Sequence, residues 1–219
     1  MPTNDQQEYW AIANFLFCSP TDSTASAALV RAVAALLTSR SEIDFALDDD
    51  RLIFQRPDRS APEWGDRPVI LTDQELPHPL VVDHFWRPAA PYHYLVLSPG
   101  FPVEKPDFES AWQRILDLTG DIIRASEPEL VTSFANVAMP ESDPINFESA
   151  CQAGATPVLT PWTYLSARRL ETAVWRDLVT LPGITATPLG NGIALTATPL
   201  PGTPPASPLP DFYVDPLLR

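Results

Sequence analysis

Lysine is almost missing from this 219-residue chain: Lys105 is the only one, and the rest of its 14 basic residues are arginines. Against them stand 28 acids, for a formal net charge of −14. A field of that sign repels phosphate backbones and anionic lipid heads, so neither nucleic acid nor a membrane surface is expected as a partner. A basic protein is the partner it favours, and solubility alone is the other reading of the same charge. Cysteine is also scarce. Cys18 and Cys151 are too few for a disulfide scaffold and have no metal-knot spacing, so buried free thiols in a reducing cytoplasm are expected. No apolar run reaches the length of a membrane span. The longest near the start, Tyr9 to Phe17, is short, follows Asp5 and Glu8 with no basic residue, and precedes Pro20-Thr21-Asp22. It reads as a buried strand and not as a signal peptide, which places the protein in the cytoplasm.

Recognisable chemistry is the next absence. A P-loop needs a glycine-rich turn ending in Gly-Lys, and the one lysine follows Glu104. A dinucleotide fingerprint needs spaced glycines opening a helix, whereas Gly190 and Gly192 sit in a hairpin signal. No serine occupies a Gly-x-Ser-x-Gly elbow. The histidines are His78, His84 and His93. Asp83, His84 and His93 would approach metal-ligand distance if their strands pair, but three candidates fall short of a centre, and partly exposed strand histidines are the plainer expectation. Neither cysteine has a histidine nearby to make it a nucleophile. In so acidic a chain a pair of carboxylates carries no information. No cofactor, no metal and no enzymatic activity are expected.

What is present is a globular chain with 45% hydrophobic residues, enough for one sizeable core. A helix is expected from about 23 to 39, capped by Asp22 or Ser23, with Leu29, Val30, Val33, Leu36 and Leu37 at helical spacing. Ile43 to Leu47 and Leu52 to Gln55 read as a hairpin turning at Asp48-Asp49-Asp50. Prolines interrupt 57 to 91, leaving short strands at Val69 to Leu71 and Leu80 to Trp86. Tyr92 to Leu97 is a clearer strand. The strongest helix runs from Pro106 to Ser126, with Asp107 and Glu109 at its positive end and one stripe of Phe108, Trp112, Ile115, Thr119, Ile122 and Ile123. A strand from Leu130 to Met139 and a short helix from Asn146 to Ala153 follow. Next come a strand from Val158 to Leu165 and a helix that Ser166 can cap, running to about Thr180. Leu189-Gly190-Asn191-Gly192 closes a last hairpin between Ile184–Pro188 and Ile193–Thr198. The prediction is a single α+β domain over 1–198, mostly antiparallel sheet with about three to four packed helices, and a proline-rich tail over 199–219.

Function must then lie on the surface. Asp48, Asp49 and Asp50 concentrate charge on one turn, and Glu127, Glu129, Glu141 and Asp143 bracket the strand from Leu130. Such runs are solvated loops or an anionic patch that docks basic side chains. Of six tryptophans, Trp10, Trp112 and Trp175 fall on positions that read as buried. Trp64, Trp86 and Trp162 lie close to prolines, where an aromatic can anchor an interface, although core packing competes at each.

The run Pro161-Trp162-Thr163-Tyr164-Leu165-Ser166, an amphipathic helix after it, and Gly190-Asn191-Gly192 opening Ile193-Ala194-Leu195-Thr196 together resemble the immunity protein 52 family of polymorphic-toxin and type VI secretion systems. The Tyr9-Trp10 strand followed by a helix fits the same pattern. The resemblance implies a non-enzymatic protein that binds and neutralises a cognate toxin in the producing cell's cytoplasm, in that family often a nuclease with a basic groove. The alternatives are a secretion adaptor or chaperone, whose docking element would be the tail ending in Phe212-Tyr213-Val214, and an enzyme of unrecognised type.

Overall fold

The computed structural model describes residues 8–46, 68–101, 103–136, 151, 160, 162–171, 180 and 183–197. The first strand, β1 (Glu8–Phe17), sends Ala11, Ala13 and Phe15 into one hydrophobic cluster and Ile12 and Leu16 into another. Burial on both faces explains why the strand from Tyr9 is apolar except at the buried Asn14. Helix α1 (Ser23–Leu37) follows, with Asp22 as the expected cap: its carboxylate accepts a hydrogen bond from the Ala25 N–H at 2.8 Å. Strands β2 (Ile43–Phe45), β3 (Val69–Asp73), β4 (Leu80–Trp86), β5 (His93–Pro99) and β6 (Val103–Glu104) lead to helix α2 (Lys105–Ser126). After α2 come β7 (Leu130–Asn136), β8 (Trp162–Ser166), the short helix α3 (Ala167–Leu170), β9 (Ile184–Leu189) and β10 (Gly192–Ala197).

The strands form one sheet in the order β2-β3-β4-β5-β1-β7-β8-β10-β9, with β6 paired to the start of β1. Every pairing among the described residues is antiparallel. The α+β class therefore holds, with three helices among the described residues and a sheet that dominates the architecture. Helices α1 and α2 cover one face, where Phe15, Leu37, Leu71, Leu80, Leu95, Leu97, Phe108 and Ile115 are fully buried. On the other face Ile12, Leu16, Leu130, Leu165 and Leu195 form a smaller cluster, joined by Leu170 of α3.

The last hairpin forms as its glycines predict. Gly190 takes a positive φ of 55°, which costs an L-residue strain. At Gly192 a Cβ would lie 2.0 Å from the Leu165 carbonyl oxygen, so β10 approaches β8 closely because no side chain intervenes. Tyr164 on β8 donates its hydroxyl to the Asn191 side-chain oxygen at 2.6 Å. The aromatic strand and the Gly-Asn-Gly turn are one folding unit.

Five expectations need correction or lie outside the described residues. Ile43–Phe45 pairs with β3, Ile43 opposite Asp73, while Asp48, Asp49, Asp50 and Leu52 to Gln55 lie outside the described residues. Ser166 precedes α3 but makes no capping hydrogen bond, because its hydroxyl is buried without a partner. The expected helix at 146–153, apart from Cys151, and the tail beyond 197 lie outside the described residues. The cysteines are not free thiols: Cys18 at the end of β1 and Cys151 form a disulfide, with Cα atoms 5.4 Å apart. The spacing of 133 residues had given no reason to join them. The cysteines consequently lend no support to a reducing compartment. Among the described residues no helix is long and apolar enough to cross a membrane.

Candidate partner-binding surface

Pairing of β4 with β5 brings His84 and His93 together, as the sequence allowed, and no group of three or more metal-ligating side chains forms among the described residues. The His84 Nε2 and His93 Nδ1 atoms are 2.8 Å apart and share a hydrogen bond, and His84 Nδ1 lies 2.6 Å from the Ser26 hydroxyl of α1. Asp83 points to the opposite face, since neighbours along a strand alternate, and its Oδ1 accepts the His84 backbone N–H. The expected partial exposure is wrong: His84 is 2% exposed and His93 9%. His93 also stacks on Phe17, ring centroids 4.8 Å apart. Burial pushes both imidazoles down to about 4, and for His84 the charge of His93 adds to it, so both rings are neutral at pH 7. Ser26, His84 and His93 follow the hydrogen-bond order of a nucleophile, a base and an orienting group. Yet Ser26 is 1% exposed, in the first turn of α1 facing the sheet. That hydroxyl is therefore shielded from solvent. The cluster ties α1 to β4 and β5.

The anticipated acidic patch is only partly within view. Glu141, Asp143 and Trp64 lie outside the described residues, with Asp48, Asp49 and Asp50. Glu127 caps α2 in a left-handed conformation, φ 49°, and is exposed. Glu129 is committed internally. Its carboxylate meets Arg168 at 2.7 Å and Arg169 at 3.6 Å, its N–H bonds Leu16, and its carbonyl accepts from Ser166. Replacing it would disturb the junction of β1, β7 and β8 before any partner. The two glutamates also act on Tyr164, whose pKa is raised by burial first and then by their charges. Trp86 ends β4 half-buried, its indole Nε1 enclosed without a hydrogen-bond acceptor among the described residues. Trp112 and Trp162 pack at the edge of the main core, and Trp112 donates to Ser133 at 3.0 Å.

A different surface stands out on the outer side of α2. Its inner stripe of Phe108, Ile115, Ile122 and Ile123 is buried as predicted. The opposite stripe opens an external groove of about 550 Å³ lined by Glu75, Glu109, Ser110, Gln113, Arg114 and Asp117. Arg114 is its floor and is 6% exposed. It meets Asp73 through Nε at 2.8 Å, Glu42 at 3.0 Å and Glu75 at 3.3 Å. Burial alone works against its charge, but the hydrogen bonds to Asp73 and Glu42 outweigh it and raise its pKa. Arg114 in turn holds Glu42 below the usual carboxylate range. Glu42 also bridges to Arg40, which is bound to Asp121 of α2. The one cation in the groove is thus consumed by three carboxylates. Glu109 and Asp117 remain exposed and make no ion pair among the described residues. They stand two turns apart, about 12 Å along the helix.

The signal for this face in the sequence is one of period and not of consecutive charge. Glu109, Gln113 and Asp117 recur every four residues opposite the apolar stripe. Asp73 gave no signal, because only the β3–α2 contact reveals that it pairs with Arg114.

No protein-family model matches the chain, and no curated protein matches it. Among solved structures, the Pseudomonas aeruginosa T6SS protein PA0821 is similar, with 15% identity and a TM-score of 0.45. The match covers 86% of this chain but 65% of that one, so this chain spans less than two thirds of its neighbour's length. A likeness at that level transfers no activity.

Proposed function

We propose that this protein is a non-catalytic inhibitor, an immunity protein that binds and neutralises a cognate basic toxin, a nuclease being the fitting type. The carrying observation is the outer face of α2, where Glu109 and Asp117 are exposed and make no ion pair among the described residues, beside a fully neutralised arginine. Such a face accepts arginine or lysine side chains of a partner without having to break internal ion pairs. The net charge of −14 extends the attraction beyond the contact itself. The resemblance through Trp162–Ser166 and Gly190–Gly192 supports the same reading, and those residues serve the fold, which leaves binding to the surface.

The test uses the product of the neighbouring gene as partner. Glu109→Gln with Asp117→Asn is expected to leave the melt unchanged and to weaken binding tenfold or more, about 1.4 kcal/mol. The association rate should fall with salt in the parent and fall less in the variant. Unchanged affinity, with a loss instead in an Asp48, Asp49 and Asp50 to asparagine variant, would move the contact to that turn. Unchanged affinity in both would end the electrostatic reading.

A further inference from the structure

The Cys18–Cys151 disulfide has a feature that a purely structural bond does not require. The Arg169 guanidinium, 7% exposed, directs Nη2 at the Cys18 sulfur from 2.7 Å. A sulfur in a disulfide is neutral and a weak acceptor. The position suits a thiolate far better, since a cation beside a sulfur stabilises its ionised form. The Glu129 carboxylate lies closer to Arg168 than to Arg169, 2.7 Å against 3.6 Å. Burial lowers the Arg169 pKa, with Glu129 opposing and Arg168 adding to the fall. Both sulfurs belong to half-buried residues packed against the smaller cluster.

We infer that Cys18–Cys151 is a redox-active bond in which Arg169 stabilises Cys18 as the leaving thiolate. A low-molecular-weight thiol, as its thiolate, attacks Cys151 Sγ. The S–S bond breaks, its electron pair goes to Cys18, and a mixed disulfide forms on Cys151. A second thiolate then attacks the outer sulfur of that mixed disulfide, releasing the oxidised thiol dimer and the Cys151 thiolate, which takes a proton. Two electrons pass from two thiols to the protein. In reverse, the Cys18 thiolate attacks a mixed disulfide on Cys151, expels the small thiol and restores the bond. The direction of attack follows from the leaving group, because the sulfur whose thiolate is more stable departs faster.

The full-length protein is treated with reduced and oxidised glutathione as the probe. Trapping at short times, with peptide mass spectrometry, should find glutathione on Cys151. The reduced protein's Cys18, followed by its alkylation rate against pH, should titrate clearly below the free-cysteine value of about 8.5. Arg169→Gln should raise that midpoint and shift the glutathione equilibrium towards the disulfide by about tenfold. Arg169→Lys should recover part of both effects, which loss of packing alone would not allow. A wild-type midpoint at or above about 8.5, or glutathione trapped on Cys18, overturns the inference. Both measurements need no variant, so they decide the matter even if Arg169→Gln does not fold. An Arg169→Gln protein that folds and matches the wild type also overturns it.

Discussion

Mild acid should weaken this fold through two side chains. An imidazole in the unfolded chain titrates near 6.5, whereas burial holds His84 and His93 at about 4. Between those values the unfolded state binds protons that the folded state refuses, so stability rises with pH across the window and is level above it. At pH 5 the difference amounts to about 2 kcal/mol per ring, about 4 kcal/mol for the pair, from a total that is commonly 5–15 kcal/mol. The rings share a hydrogen bond and titrate together, so the figure belongs to the pair. Carboxylates contribute little at pH 5, because in the unfolded chain they titrate near 4. The assay is urea unfolding at pH 7.5 and pH 5.0 for the wild type and for His84→Gln with His93→Gln. The wild type should lose about 4 kcal/mol and the double variant less than about 1 kcal/mol. An equal loss in both would refute the reasoning. So would an NMR titration in which either ring of the folded protein gains its proton near pH 6.5.

Other outcomes can be stated briefly. Cys18→Ser with Cys151→Ser should lower stability by about 2–5 kcal/mol in urea, since the bond closes a loop across 133 residues; an unchanged midpoint would show that the bond does not constrain the chain. Arg114→Ala strands the buried Asp73 carboxylate and should cost about 3–5 kcal/mol. Arg124→Ala, at an exposed pair with Asp121, should cost under about 1 kcal/mol, and similar melts for the two would contradict that ranking. Gly192→Ala drives a methyl into the Leu165 carbonyl and should destabilise by about 1–3 kcal/mol; a neutral melt would mean that β8 and β10 separate easily.

The parts of the fold that were legible in the sequence are those set by local pattern. β1 had a mostly apolar, aromatic-rich run, α1 its Asp22 cap, α2 its stripe and first-turn proline, and the last hairpin its Gly-Asn-Gly turn. What escaped depends on residues far apart in the chain. The pairing of β2 with β3 spans the proline-rich stretch, and no local pattern in the sequence announces it. The histidines were read as partly exposed since nothing local announces that α1 covers them with Ser26. Arg114 with Asp73, and Cys18 with Cys151, are pairings made by topology alone. For the candidate surface, net charge gave the sign, but only the structure separates Glu109 and Asp117, which make no ion pair among the described residues, from Glu129, which is bound to Arg168 and Arg169.

The central position of β1 has a consequence for the order of events during synthesis. It leaves the ribosome before its neighbours β5 and β7, and Phe17 meets His93 only after about 76 further residues have been made. At roughly 5–20 residues per second that is a delay of some 4–15 seconds. Both long edges of an apolar strand are without their eventual partners throughout that interval, the condition in which strands seek improper neighbours. Helix α1, complete within 37 residues, is the first element that can shelter it. Nascent chains halted before residue 93 should therefore engage holding chaperones through residues 8–17, and release should come with β5 rather than with the end of the chain.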